Sequence, residues 1–276
     1  METKEKKINI YILIFRIVSL LIIAFCLYLL YNWNIENNAN SDIASDLSLS
    51  SKSDGTISLN DLRDAELKSS DENQSLISKN NESNNQIKTL QTDFDKLLNS
   101  NSDTVAWIRI ENANIDYPIV QAQDNNYYLN QNFYKKHNSA GWIFADYRNK
   151  FDTLDKNTII YGHNRRNGTM FSNLKKYLDS NYSSKEENKF FNFNTVNKNY
   201  IAEIFSVYKS NSNVLSFSNT FESHDAFDSY LNSYKEKSLY DFKTEVSASN
   251  KILTLCTCDN NNLYRIVIHA KLIPIN

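Results

Sequence analysis

The chain has 276 residues, a formal net charge of −2, and 17 Tyr and 15 Phe against only 4 Gly and 2 Pro. Its length allows one large domain or two small ones, and its aromatic and aliphatic content is enough for a packed core. The near-neutral charge gives no footing for a polyanionic partner, so no nucleic acid is expected.

Taken in chain order, the first feature is an apolar block from Ile8 to Trp33, interrupted only by Asn9, Arg16, Ser19 and Asn32. About 20 apolar residues in a helix span a bilayer core, so the block reads as a transmembrane helix. A cleaved signal peptide would need a shorter apolar core and a small-residue cleavage site, and the Leu29–Trp33 stretch offers none. Arg16 would snorkel toward the side that carries Lys4, Lys6 and Lys7, which the positive-inside rule makes cytoplasmic. The expectation is a single-pass anchor over residues 1–33 in the cell membrane, with the rest of the chain extracellular.

Residues 34–85 are rich in Ser, Asn, Asp, Glu and Lys with scattered single Leu and Ile. No period persists apart from a short helix over Leu59–Leu67, so the segment reads as a disordered polar stalk; the other reading is an amphipathic helical arm. Residues 86–276 then form the outward domain.

That domain opens with Ile87, Leu90, Phe94, Leu97 and Leu98 at helical spacing, which predicts a helix over Gln86–Leu98. Short β-rich runs follow at Val105–Ile110, Ile115–Gln121, Gly141–Ala145, Thr158–Gly162, Tyr200–Tyr208, Lys251–Cys258 and Tyr264–Ile273. Polar turns separate them, as at 111–114 and 259–262. Helical insertions are predicted over Met170–Leu178 and about Phe221–Tyr234. Many short strands without βα alternation predict a mainly β domain, closed or sandwiched.

The three cysteines are Cys26, Cys256 and Cys258. An outward domain stapled by disulfides would carry more of them at wider spacing, so the last two serve something else. If 259–264 make a symmetric hairpin turn, positions summing to 523 face one another and Cys258 lies opposite Arg265. A guanidinium beside a thiol favours the thiolate, although a buried structural cysteine is the commoner case. A thiol nucleophile needs a proton partner. Of His137, His163, His224 and His269, His163 sits at the end of an apolar strand, where side chains are presented to clefts. Pattern alone leaves that choice open.

Thr254-Leu255-Cys256-Thr257-Cys258 resembles the TLxTC signature of the sortase family, and Tyr161-Gly162-His163-Asn164 resembles its catalytic-histidine segment. Tyr264-Arg265-Ile266-Val267-Ile268 resembles its arginine strand. The similarity runs from about Phe94 to the C-terminus, and the Asn157–Tyr177 segment is most like class B members.

The resemblance implies a closed eight-stranded sortase-type β-barrel with an N-terminal helix and helical insertions. It implies a cysteine transpeptidase with Cys258 as nucleophile, His163 as acid/base and Arg265 as oxyanion stabiliser. The substrates it implies are secreted proteins with a C-terminal sorting signal, cut after Thr and joined to a peptidoglycan or precursor amine. It further implies substrate contacts from Asn125, Leu129, Tyr161, Cys256 and Thr257, and neither cofactor nor metal.

Position 256, often Ser in class B members, is Cys here. Residues two apart on a strand lie ~6.5–7 Å apart, near the outer limit for a disulfide. No further Cys/His cluster completes a metal site with Cys256-x-Cys258. A small thiol packing where serine would fit is the preferred reading. Two other functions stay in view, a noncatalytic sortase-like binding module and a pilin-polymerising enzyme. The latter often carries an Asp-Pro-aromatic lid motif, and no Asp-Pro occurs here.

Overall fold

In the computed structural model, which describes residues 2–69, 86–211, 215–258 and 263–275, strand periodicity dominates the C-terminal half. In chain order the first elements are helix α1 (Glu2–Ser48), strand β1 (Ser51–Ser58), helix α2 (Leu59–Ser69), β2 (Gln86–Thr92) and α3 (Phe94–Ser100). Then come β3 (Thr104–Ile110), β4 (Ile115–Val120), β5 (Phe144–Ala145), β6 (Asn157–Gly162) and the short helix α4 (Ser180–Ser183). The chain finishes with β7 (Phe190–Thr195), β8 (Asn199–Asn211), α5 (His224–Lys237), β9 (Lys251–Cys258) and β10 (Tyr264–Ile275).

Eight of these strands close a barrel in the order β10-β8-β7-β3-β4-β5-β6-β9. The fold is mainly β, as the strand pattern and the family resemblance imply. Alternation along β9 and β10 explains how one sheet serves two cores. Leu253, Leu255, Ile266 and Ile268 join the main hydrophobic cluster. Cys256 and Val267, of opposite parity, join a second cluster with Phe227 and Leu231 of α5. Helix α5 begins where Ser223 caps it, its side chain accepting from the Ala226 N–H at 3.1 Å.

The chain divides into two compact units, Met1–Asp42 and Ile43–Asn276. In the first, α1 carries a largely apolar surface broken by Arg16 and Ser19, with Phe15, Leu21 and Tyr28 all exposed. The stretch Ile10–Ser48 is long and apolar enough to cross a membrane.

The disordered stalk expected over 34–85 is corrected wherever the structure describes it. Helix α1 continues to Ser48, and Ile43, Ala44 and Leu47, at helical spacing, pack against the main core. Strand β1 pairs antiparallel with β2. In α2, Leu62 is fully buried against Ile201 and Ile273. Few apolar residues are needed because ion pairs hold the rest. Arg63 forks onto the buried Glu203 at 2.6 and 2.8 Å, and Lys271 reaches Glu66 at 2.6 Å. The remainder of the expected stalk, 70–85, lies outside the described residues.

The helix expected over Gln86–Leu98 is a strand followed by a helix. Ile87 and Leu90 have opposite parity in β2, and they contribute to two different clusters. The helix starts only where Asp93 accepts a hydrogen bond from the Lys96 N–H at 3.1 Å. Strand β7 had no sequence signal because Asn192 and Asn194 disfavour strands. Here their amides donate to the Lys88 and Leu90 carbonyls of β2, at 3.0 and 2.6 Å. The run Gly141–Ala145 contributes only Phe144 and Ala145 as strand, and the insertion at Met170–Leu178 is a 3-10 helix over Ser172–Leu178.

Candidate active site

Two register relationships bring the site together. Strands β9 and β10 pair antiparallel with Cys258 opposite Arg265, the pairing that the symmetric turn predicts, although residues 259–262 of that turn lie outside the described residues. Strands β6 and β9 pair in parallel with Tyr161 beside Cys256 and Gly162 beside Thr257. His163 and Cys258 each follow directly in the chain after that last pair.

His163, Arg265, Tyr161, Cys256, Asn125 and Leu129 all line one cleft of about 350 Å3. Thr257 does not line it. The residue is buried and shares strand parity with Leu255, toward the main core. Asp146, Arg148 and the segment 215–217 complete the walls. Sequence reading missed this second arginine and its carboxylate; the one signal available was their i, i+2 spacing just after a strand, which is too common to single out.

His163 is held from both sides. Its carbonyl accepts from the Phe171 N–H at 3.1 Å, and Gly162 lets the Phe171 ring close over the strand end, where an added Cβ would lie 2.7 Å from the ring. The ring Nε2 lies 3.0 Å from the Leu129 carbonyl oxygen. A carbonyl only accepts, so Nε2 carries the hydrogen and Nδ1 is the basic nitrogen of the neutral ring.

Leu129 ends a 3-10 turn, Tyr127–Leu129, whose start is capped by Asp124 accepting from the Asn126 and Tyr127 N–H groups, both at 2.8 Å. The turn sits tightly on Gly141. With φ +57°, that glycine approaches so closely that a Cβ would lie 2.6 Å from the Tyr128 and Leu129 oxygens. Only glycine allows that approach without strain.

The electrostatics of Cys256 argue against its acting as a nucleophile. Burial pushes the Cys256 thiol up to about 12, and the charge of Arg265 only partly opposes it. Cys256 therefore stays a neutral thiol at physiological pH and is a poor nucleophile. The packing matches the reading of Cys256 as a small buried thiol. Burial also holds His163 below the ordinary histidine value, with the Arg165 and Arg265 charges in the same direction and the Leu129 bond opposing. At neutral pH its ring is mostly uncharged and ready to accept a proton.

His269 is fully buried and belongs to a different network. It bonds Thr254 at 2.8 Å and Tyr208 at 3.1 Å beneath α5. His224 starts α5, and neither it nor His137 lines the cleft.

A barrel that carries a histidine and an arginine into one cleft, beside a strand ending in cysteine, defines a class of cysteine transpeptidase. Residues 108–273 match the family model of the sortase domain. The chain belongs to the sortase family, and the relatives it resembles are class B. It is 40% identical over 193 residues to sortase B of Listeria monocytogenes, covering 69% of this chain and 76% of that one. Sortase B of Staphylococcus aureus is 33% identical over 186 residues, 66% of this chain and 75% of that one. Among solved structures, sortase B from Bacillus anthracis superposes with a TM-score of 0.68 at 31% identity, covering 87% of this chain and 99% of that one.

Proposed function

We propose that this transpeptidase cleaves a C-terminal sorting signal on secreted proteins after a Thr residue and transfers the new carboxyl to a peptidoglycan amine. The observation that carries the reading is the single cleft shared by His163 and Arg265, with Cys258 cross-strand to Arg265. In this reading His163 Nδ1 takes the Cys258 proton and the sulfur attacks the Thr carbonyl carbon. Arg265 bears the charge that develops on its oxygen, as a permanent cation with a planar fork suits. The C–N bond breaks, His163 returns the proton to the departing amine, and a thioester remains on Cys258. The acceptor amine then attacks the thioester, His163 takes its proton, and the thiolate leaves with that proton restored to sulfur.

Asn125, Leu129, Tyr161 and Cys256 line the same cleft and serve as the peptide-binding walls. The N-terminal helix anchors the enzyme in the membrane with its lysine-rich start in the cytoplasm and the barrel outside, where secreted substrates and wall amines meet it. The test is cleavage of a fluorogenic peptide library by the full-length chain in detergent, with a wall-peptide amine present and absent. Cleavage after Thr and amine-dependent formation of a joined product are expected. Cleavage that never yields a joined product contradicts the anchoring reaction.

A further inference from the structure

Asp146 follows β5 and is fully buried, yet it joins three walls of the cleft. Its Oδ1 accepts from the Arg148 Nε at 2.8 Å and from the Arg148 backbone N–H at 3.0 Å. Its Oδ2 accepts from Arg148 Nη2 at 2.8 Å, from Asn125 Nδ2 at 3.1 Å and from the Tyr161 hydroxyl at 3.1 Å. Burial opposes its charge, but the Arg148 and Asn125 bonds outweigh that and hold the carboxyl below its ordinary range. Arg148 Nη2 also donates to the Phe217 carbonyl at 3.2 Å, on the segment between β8 and α5.

We propose that Asp146 is a positioning residue for the peptide substrate, aligning Asn125 and Tyr161 directly and the 215–217 segment through Arg148. The proposal rests on the reading of this cleft as a peptide groove. Its content is the polarity of the walls. Tyr161 has a single hydroxyl hydrogen and donates it to Asp146, so its oxygen remains an acceptor. Asn125 has one amide hydrogen on Asp146, while its carbonyl accepts from the Tyr147 N–H at 3.0 Å. One amide N–H is left as a donor. A peptide backbone offers N–H and C=O groups that such an acceptor and donor meet.

The bonds of Asp146 run to Asn125, Arg148 and Tyr161 and not to His163. Loss of Asp146 therefore weakens peptide binding and leaves the chemical step in place. A fully buried carboxylate that only supported the fold would show no such preference between the two.

The test compares wild type, Asp146→Asn and Arg148→Lys as full-length chains in detergent. The probe is the best-cleaved member of a fluorogenic Thr-containing pentapeptide library, and hydrogen exchange is followed in parallel. Asp146→Asn puts an amide in place of one carboxylate oxygen and sets its hydrogens against donors that now meet that oxygen. It is expected to raise exchange at 125–129 and at 215–217, and to raise KM about tenfold with kcat within about twofold, the scale of one net hydrogen bond.

Arg148→Lys keeps the charge and loses the fork. It is expected to raise exchange at 215–217 alone and to raise KM less. Unchanged exchange in both segments overturns the proposal, as does a loss falling on kcat at constant KM. The proposal is equally overturned if Asp146→Asn merely melts early while Arg148→Lys matches wild type in exchange and KM. Should the wild-type chain cleave no library member, the functional reading fails on its own. Exchange then decides Asp146 alone, raised in its favour and unaltered against it.

Discussion

Arg265 and Cys258 are cross-strand partners in the β9–β10 pairing, and Arg265 at the same time lines the cleft that holds His163. A strand-face arginine that only packed its stem would tolerate lysine, because the charge survives. One that bonds a developing oxyanion through its planar fork would not. Arg265→Lys is expected to melt as wild type does and to lose ~10²–10³ in turnover, the usual effect of removing one oxyanion donor. Thermal melting and steady-state kinetics on one preparation check it. Near wild-type turnover, or early melting, would return Arg265 to the scaffold.

Gly141 reaches the site indirectly, by letting the Tyr128 and Leu129 carbonyls approach it. Gly141→Ala faces both a positive φ and two carbonyl oxygens, and should destabilise the fold by ~1–3 kcal/mol. The displaced Leu129 carbonyl would also weaken its bond to His163, a bond that favours the protonated ring. The His163 titration, followed by NMR, should therefore move to still lower pH. A shift upward would mean that the carbonyl does not hold the ring.

His269 gives a pH dependence of stability with a definite sign. Burial, aided by the charge of Lys237, lowers it from 6.5 to about 3. Above about 6.5 both folded and unfolded chains keep the ring neutral, and no penalty arises. As pH falls from there toward 3, the unfolded chain takes up a proton that the folded chain refuses, and stability drops by up to about 1.4 kcal/mol per pH unit. His269→Gln should flatten the acid limb of stability against pH by close to one proton. Denaturant titrations at a series of pH values measure it, and an unchanged slope would refute the assignment.

Much of the barrel was legible because its strands are short, β-rich and bounded by turns. The candidate site was legible because His163 and Arg265, which share one cleft, and Cys258, the cross-strand partner of Arg265, each stand at a strand end in a recognisable motif. The N-terminal arm was not legible. Leu62, Ile43 and Leu47 are single apolar residues in polar surroundings, and local periodicity cannot show that each meets a prepared face of the barrel. Glu203 was equally silent, a carboxylate inside a strand whose partners come from 140 residues upstream and from β10. The Asp146–Arg148 pair was missed for a related reason, since its partners Asn125, Tyr161 and Phe217 converge only in the folded chain.

The arm carries its own prediction. A chain beginning at residue 86 lacks Arg63 and Glu66, and leaves β2 without its β1 partner. Burial opposes the charge of Glu203, but Arg63, Lys271 and Lys189 together hold it down to about 2. Arg63 is partly exposed, so its loss should cost somewhat less than the ~3–5 kcal/mol of a fully buried pair. A chain beginning at residue 43 should melt clearly higher than one beginning at 86. The Glu203 contribution is present above its ordinary value of 4.5 and fades as pH falls toward 2, so the difference should narrow in acid. Equal melting at neutral pH would contradict the docking of the arm.

The central claim is that Cys258, and not Cys256, forms the covalent intermediate. The most direct measurement is mass spectrometry of the enzyme mixed with a cleavable sorting-signal peptide in the absence of acceptor amine, comparing wild type, Cys258→Ala and Cys256→Ser. Wild type and Cys256→Ser should gain the mass of the acyl fragment on the peptide that contains residue 258, and Cys258→Ala should gain nothing. An acyl adduct on Cys256, or one that persists in Cys258→Ala, would contradict the account.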